Sequence, residues 1–98
     1  MQHFVLTYRY VDDYMARRDA FRAEHLARLQ KAADDGLVLA AGVLPESLSA
    51  LIVCRANSAD ELRAFAKDDP YYHAGLIASF EVEPWTVAVG VPQILKAQ

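Results

Sequence analysis

Residues His3 to Tyr10 alternate strictly, with Phe4, Leu6, Tyr8 and Tyr10 on one face and Val5, Thr7 and Arg9 on the other. A period of two predicts a strand with one buried face, and Val5 marks the second face as only partly wet. Asp12 and Asp13 then make a turn and a helix start, where carboxylates suit free backbone N–H groups. From about Tyr14 to Asp34 the period lengthens. Phe21, His25, Leu29 and Ala32 or Ala33 recur at three- and four-residue steps, with Leu26 beside them. That spacing predicts one helix whose stripe lies on the sheet. Gly36 ends it by accepting a left-handed conformation at low cost.

Leu37 to Val43 is almost continuously apolar and predicts a second strand, in which Gly42 marks a bulge or a close backbone approach. The link Pro45-Glu46-Ser47 is short, so this strand and a third, Ser49 to Arg55, should pair as an antiparallel hairpin. Ser58-Ala59-Asp60-Glu61 is a capping box, opening a helix with Leu62, Phe65 and Ala66 on one face. Asp68-Asp69-Pro70 interrupts that helix. Proline is disfavoured in a helix interior but good at a first position, so Asp69 is read as the N-cap of a short turn, Pro70 to Ala74, closed near Gly75. The last strand runs from Leu76 to about Val89, where Phe80 and Val82 alternate with Glu81 and Glu83. Trp85, Val87 and Val89 continue one face past Pro84, which belongs at an edge or bulge. Residues 90–98 form a tail whose Ile94 and Leu95 either pack on a partner or fray.

The element order is β-α-β-β-α-β with a split second helix. It predicts an α+β fold of ferredoxin-like type, a four-stranded antiparallel sheet with both helices on one face, in a single domain spanning 1–98. Two helices cover only one face of such a sheet. The second and third strands contain too few polar residues for the other face to be fully solvated. A second copy of the chain is the most economical cover, giving a homodimer through the open sheet face.

The chain has 98 residues and a formal charge of −3 at pH 7, which disfavours binding to nucleic acid or an anionic membrane. Arg17, Arg18, Arg22, Arg28 and Lys31 crowd the first helix, but Asp19 and Glu24 interrupt them. They are read as a solvated face with pairs such as Glu24 to Arg28. Cys54, the one cysteine, excludes an intrachain disulfide and reads as a buried structural thiol. No stretch reaches the length of a membrane helix, and Met1-Gln2-His3-Phe4 lacks a basic leader, so a cytoplasmic protein is expected. His3, His25 and His73 have no metal-ligand spacing, and neither a phosphate-binding glycine loop nor a serine elbow is present. No metal and no cofactor is expected.

Two residues could carry chemistry. His25 lies on the inward stripe, where a partly desolvated imidazole can serve as acid or base. It can equally be a satisfied core histidine. Asp69 is explained by its N-cap position alone, or it orients and charges His25 across the core. Asp68 is read as its solvated neighbour. Tyr71, Tyr72 and His73 form a polar aromatic cluster beside them, suited to a pocket wall or to packing.

Arg22-Ala23-Glu24-His25-Leu26-Ala27-Arg28-Leu29, Asp34-Asp35-Gly36, Ala41-Gly42 and Asp68-Asp69-Pro70-Tyr71, in this order and spacing, resemble the YCII-related family. The resemblance runs through nearly the whole chain. It implies a dimeric α+β barrel of ferredoxin-like type, with an active-site histidine in the first helix and an aspartate in the Asp-Pro-Tyr segment, here His25 and Asp69. One branch of the family is similar to enzymes that eliminate chloride from a hydroxylated ring. Muconolactone isomerases and small cofactor-free monooxygenases are more distant by fold, and fold alone transfers no reaction. The short link around Pro45-Glu46-Ser47 departs from longer members, which carry a Gly-rich insertion there.

The leading expectation is a cofactor-independent lyase or isomerase moving a proton on a small cyclic or aromatic compound. His25 and Asp69 are its catalytic pair, and Tyr71, Tyr8 and Gly42 its substrate contacts. The alternatives are a binding or accessory protein for a small-molecule ligand with the same pocket, and a structural dimer module.

Overall fold

The alternation at the start of the chain becomes β1 (Gln2–Tyr10), whose inward residues Phe4, Leu6, Tyr8 and Tyr10 are all buried. A computed structural model describes residues 1–89; the tail at 90–98, with Ile94 and Leu95, lies outside them. The apolar runs that follow the first helical region give β2 (Val38–Leu44) and β3 (Ser49–Ala56), paired antiparallel as a hairpin. The last strand, β4 (Ile77–Pro84), pairs with β1. It stops at Pro84, short of the expected Val89; the Trp85 N–H still bonds the His3 carbonyl at 2.9 Å, but β1 begins at Gln2 and leaves almost no partner strand beyond.

Strand order is β2-β3-β1-β4, with every pairing antiparallel. This is the ferredoxin-like arrangement, but the expected α+β barrel is not formed. Closure needs hydrogen bonds between the first and last strands of the sheet. Here β2 bonds only to β3 and β4 only to β1, on opposite edges, so the sheet stays open.

The first helical region is broken into α1 (Tyr14–Arg17) and α2 (Asp19–Asp34) at Arg18, which keeps right-handed helical backbone. The break is an interruption of one path and not a turn. Asp13 stands before α1 but its carboxylate caps nothing; it reaches Arg17 at 3.4 Å instead. Of the predicted stripe, His25 and Ala32 are buried and Phe21 and Leu29 half-buried, whereas Leu26 is 46% exposed. The stripe overhangs the edge strand β2, whose Ala41 to Leu44 are themselves exposed, so there is too little sheet beneath Leu26 to cover it.

Arg28 does not stay on a solvated face with Glu24. Its guanidinium turns inward, donating to the Phe65 carbonyl at 2.7 Å and lying 4.1 Å from the Phe65 ring centroid. A planar, weakly hydrated cation is suited to such stacking. Gly42 is not the bulge either. The register shift in β2 falls between Val38 and Ala40, while Gly42 pairs regularly with Leu51. A Cβ added at Gly42 would meet nothing within 4 Å, so no close approach requires glycine.

The second helical region reads as expected. Ser58 caps α3 (Ala59–Lys67) through the Glu61 N–H at 3.4 Å, and Glu61 returns to the Asn57 N–H at 3.1 Å. Asp69 caps the single turn α4 (Pro70–His73), and Gly75 at φ 76° follows it. Helices α2 and α3 pack on the same face of the sheet. There Phe4, Leu6, Tyr8, Ile52, Cys54, Leu62, Ala66 and Leu76 make the core. The opposite face presents Val5, Thr7 and Arg9 of β1, Leu51 and Val53 of β3, and Glu81 and Glu83 of β4, with Leu51 40% exposed. Among the described residues no helix is long and apolar enough to cross a membrane.

Candidate functional site

Three pieces of chain converge on Asp69. The Asp-Pro step leaves Asp69 extended, at φ −68° and ψ 133°, and its carboxylate folds forward to accept the Tyr71 N–H at 2.8 Å. That is the N-cap bond. The same carboxylate reaches back across the core to α2, where His25 Nδ1 lies 2.8 Å from Oδ1 and 3.0 Å from Oδ2. From the sheet below, the Tyr8 hydroxyl donates to Oδ2 at 3.2 Å. Asp69 is only 1% exposed and His25 only 6%. Leaving an ionised carboxylate in such a place without donors would cost several kcal/mol. Three donors from three elements offset that cost.

The arrangement fixes the imidazole. With Nδ1–H donated to Asp69, a neutral His25 carries its lone pair on Nε2. Among the described residues Nε2 has no hydrogen-bond partner. The Tyr71 ring stacks on the imidazole with centroids 3.8 Å apart and planes 10° from parallel. Tyr10 and Tyr14 stack on each other at 3.7 Å, and Tyr71 meets both edge-on. Burial, and next the Asp69 charge, push the Tyr8 phenol well above its usual range. It therefore remains a donor wherever Asp69 is ionised. Burial, then the neighbouring Tyr14, raises the Tyr71 phenol in the same direction.

His25 is also part of a cavity wall. A hollow of about 70 Å³ lies among Tyr10, His25, Leu29, Gly42, Ala50 and Ile52. A second hollow, of about 360 Å³, runs between α2 and β2 and shares Leu26, Leu29 and Ala41 with the first. Together they form an apolar groove with the imidazole at one end. Its mouth is the gap left where α2 overhangs the short edge of β2.

The expected residues are thus distributed as follows. His25, Asp69, Tyr8 and Tyr71 are brought into one contact network, and Gly42 lies in the cavity wall. Tyr72 and His73 are exposed on the far side of α4, and Asp68 is exposed as well. His3 and His73 do not join His25, and no group of three His, Cys, Asp or Glu side chains gathers at metal distance among the described residues. Cys54 is fully buried, and burial pushes its thiol up to about 12, which leaves it protonated and inert at neutral pH. Sequence reasoning missed Tyr10 and the Leu26–Leu29–Ala41 groove as parts of the site. Tyr10 was legible as the next inward position after Tyr8; the groove was not, because it depends on how far the helix overhangs the sheet.

A family model for the YCII-related domain matches residues 1–86. Protein YciI of Escherichia coli O6:H1 and of Shigella flexneri are each 31% identical, over 74% of this chain and 85% of the relative. Among solved structures, the fold matches that of 5-chloro-2-hydroxyhydroquinone dehydrochlorinase from Burkholderia phenoliruptrix AC1100, solved in complex with 2,5-dihydroxybenzoquinone. The TM-score is 0.75 at 23% identity, over 88% of this chain and 95% of that one. Protein Atu4242 from Agrobacterium tumefaciens is similar at a TM-score of 0.55 and 18% identity, over 90% and 94%.

Proposed function

Because this chain belongs to the YCII-related family, we propose that its buried His–Asp pair is catalytic and moves a proton on a small cyclic or aromatic compound without a cofactor. One observation carries the reading: Asp69 holds Nδ1 of an imidazole that stands at the end of an apolar groove. In the proposed reaction Nε2 takes a proton from a C–H or O–H of the ligand. The imidazolium so formed faces the Asp69 carboxylate, which stabilises the added charge. The electron pair left on the ligand then either shifts to a neighbouring carbon, where His25 returns the proton, or expels a leaving group. The first outcome is isomerisation and the second elimination.

The hollow at His25 alone is too small for a ring, since ligand sites run to about 300 Å³ or more. The ring would lie in the larger α2–β2 hollow, against Leu26 and Ala41, with its reacting edge at His25. Gly42 would offer backbone to the ligand. Tyr71 would hold the imidazole plane and Tyr8 the carboxylate. A fold neighbour named for a chlorinated hydroxyhydroquinone, and solved with a dihydroxybenzoquinone, supports rings of that class. We further propose that a second copy covers the open face around Leu51, the exposed apolar residue there, leaving the groove on the opposite face free.

The test is proton exchange in D₂O, followed by NMR on small cyclic enones and polyhydroxybenzenes. Exchange above the uncatalysed rate is expected, and His25→Ala should lower it by about a hundredfold or more. Saturable binding without exchange, or equal exchange by His25→Ala, would overturn the catalytic reading in favour of a binding protein.

A further inference from the structure

One turn before His25 on α2 stands a cation that the fold itself does not use. Arg18, Arg22, His25 and Leu29 recur at steps of four, three and four residues, so they share one face of the helix. Arg22 is half-buried. Its neighbours are engaged: Arg17 with Asp13 and the Ala74 carbonyl, Arg18 with Asp19, and Arg28 with the Phe65 carbonyl. Arg22 makes no hydrogen bond or ion pair among the described residues.

Its charge falls on the tyrosines around the imidazole. The Tyr71 ring stacks on His25 at 3.8 Å and meets the Tyr14 ring edge-on at 5.7 Å. Arg18 lies over the Tyr14 ring, 5.7 Å from its centroid. Burial, then Tyr14, raises the Tyr71 phenol, and the charges of Arg22 and then Arg18 oppose that rise. Tyr10 joins this cluster to the groove, because it stacks on Tyr14 at 3.7 Å and also lines the hollow at His25. The buried Asp69 carboxylate behind the imidazole repels any anion placed beside His25. A cation without a partner, on the same face of α2, offsets that repulsion. Asp19 competes weakly, since it is 90% exposed and 4.0 Å from Arg18.

We propose that Arg22 selects a ring ligand that carries a carboxylate, holding that group beside the imidazole while the ring lies in the groove beyond His25. The inference rests on the groove at His25 being the ligand site, and it names the class of ligand taken there. A carboxylate accepts two bonds from the planar fork of a guanidinium, which a neutral substituent of the same shape cannot match. Arg22 is a specificity residue in this scheme and moves no proton.

Phenylacetate and its neutral counterpart phenylacetamide separate charge from shape, in titrations of the full chain followed by ¹H–¹⁵N NMR. Phenylacetate should give saturable shifts at the Arg22 Nε–H, the His25 ring nitrogens and the Tyr71 amide. It should bind about tenfold or more tighter than the amide. Arg22→Gln should remove that preference by weakening phenylacetate alone, and Arg18→Gln should weaken it by a smaller factor. Equal binding of acid and amide by the native chain overturns the proposal, and that comparison stands even if Arg22→Gln does not fold. So does an absence of saturation, shifts centred away from His25, an equal loss of both ligands in Arg22→Gln, or a larger loss in Arg18→Gln. Failure of the catalytic reading looks different: the preference for the acid persists while His25→Ala leaves proton exchange unchanged.

Discussion

Asp69 has two duties that a single substitution can separate. As an N-cap, asparagine is about as good as aspartate, because either side chain accepts from the Tyr71 N–H. As the partner of His25, asparagine brings no charge and one donor too many. Asp69→Asn should therefore keep α4 folded, at a cost of about 1–3 kcal/mol for the mismatched buried amide, while abolishing proton exchange. Asp69→Ala should lose the cap as well and melt lower; urea denaturation of the two variants makes the comparison. A second residue-scale expectation concerns alkali. The Cys54 thiol is raised by burial from its usual 9.0 to about 12, so between those values the unfolded chain loses a proton that the folded chain keeps. The contribution is fully present below pH 9 and is lost as pH rises towards 12. Its slope is at most about 1.4 kcal/mol per pH unit. Tyr8 adds to the same fall at the upper end. Cys54→Ala should flatten the decline in unfolding free energy measured at pH 9 and pH 11, whatever its effect on stability at neutral pH. At this scale the sequence was informative about identity and silent about contact. A histidine on an apolar stripe and an aspartate before a proline are each visible. The 2.8 Å between them depends on two helices lying side by side.

The elements show which local signals survive packing. β1 needed only its alternation, and α3 its capping box; removing that cap with Ser58→Ala should cost about 1 kcal/mol in urea denaturation without disturbing exchange at the site. Signals that compete with tertiary contacts were less faithful. Asp13 looked like a cap and instead meets Arg17, while Arg28 looked solvated and instead stacks on Phe65. The helical stripe gave the buried side of α2 correctly at His25 and Ala32. It could not show that β2 is an edge strand too short to cover Leu26, since edge and centre are properties of the sheet and not of the segment. That overhang creates the groove. Leu26→Arg, which puts a charged side chain across the groove's exposed wall, should weaken ring binding about tenfold in the same NMR titrations while leaving the His25–Asp69 contact in place.

For the whole molecule, the order of elements was enough to give the ferredoxin-like sheet, because short connections and right-handed crossovers leave few alternatives. Closure into a barrel was not legible. It requires the two edge strands to find partners, and nothing in the sequences of β2 and β4 records that they do not bond to each other. The exposed Leu51 on the open face, beside the partly buried Val5, bears on assembly and not on closure. If a second copy covers it, Leu51→Lys should convert a sedimenting dimer to the monomer, with the groove on the other face still able to bind. An unchanged mass would remove that part of the account and leave the His–Asp reading intact.

Proton uptake by His25 depends on which ring nitrogen carries the proton at rest. ¹⁵N NMR of the neutral imidazole, in the native chain and in Asp69→Asn, reads this directly. The geometry predicts an Nδ1–H tautomer with an unprotonated Nε2 in the native chain, shifting towards Nε2–H in the variant. An Nε2–H tautomer in the native chain, or one indifferent to Asp69, would contradict the claim that the carboxylate prepares His25 to accept a proton.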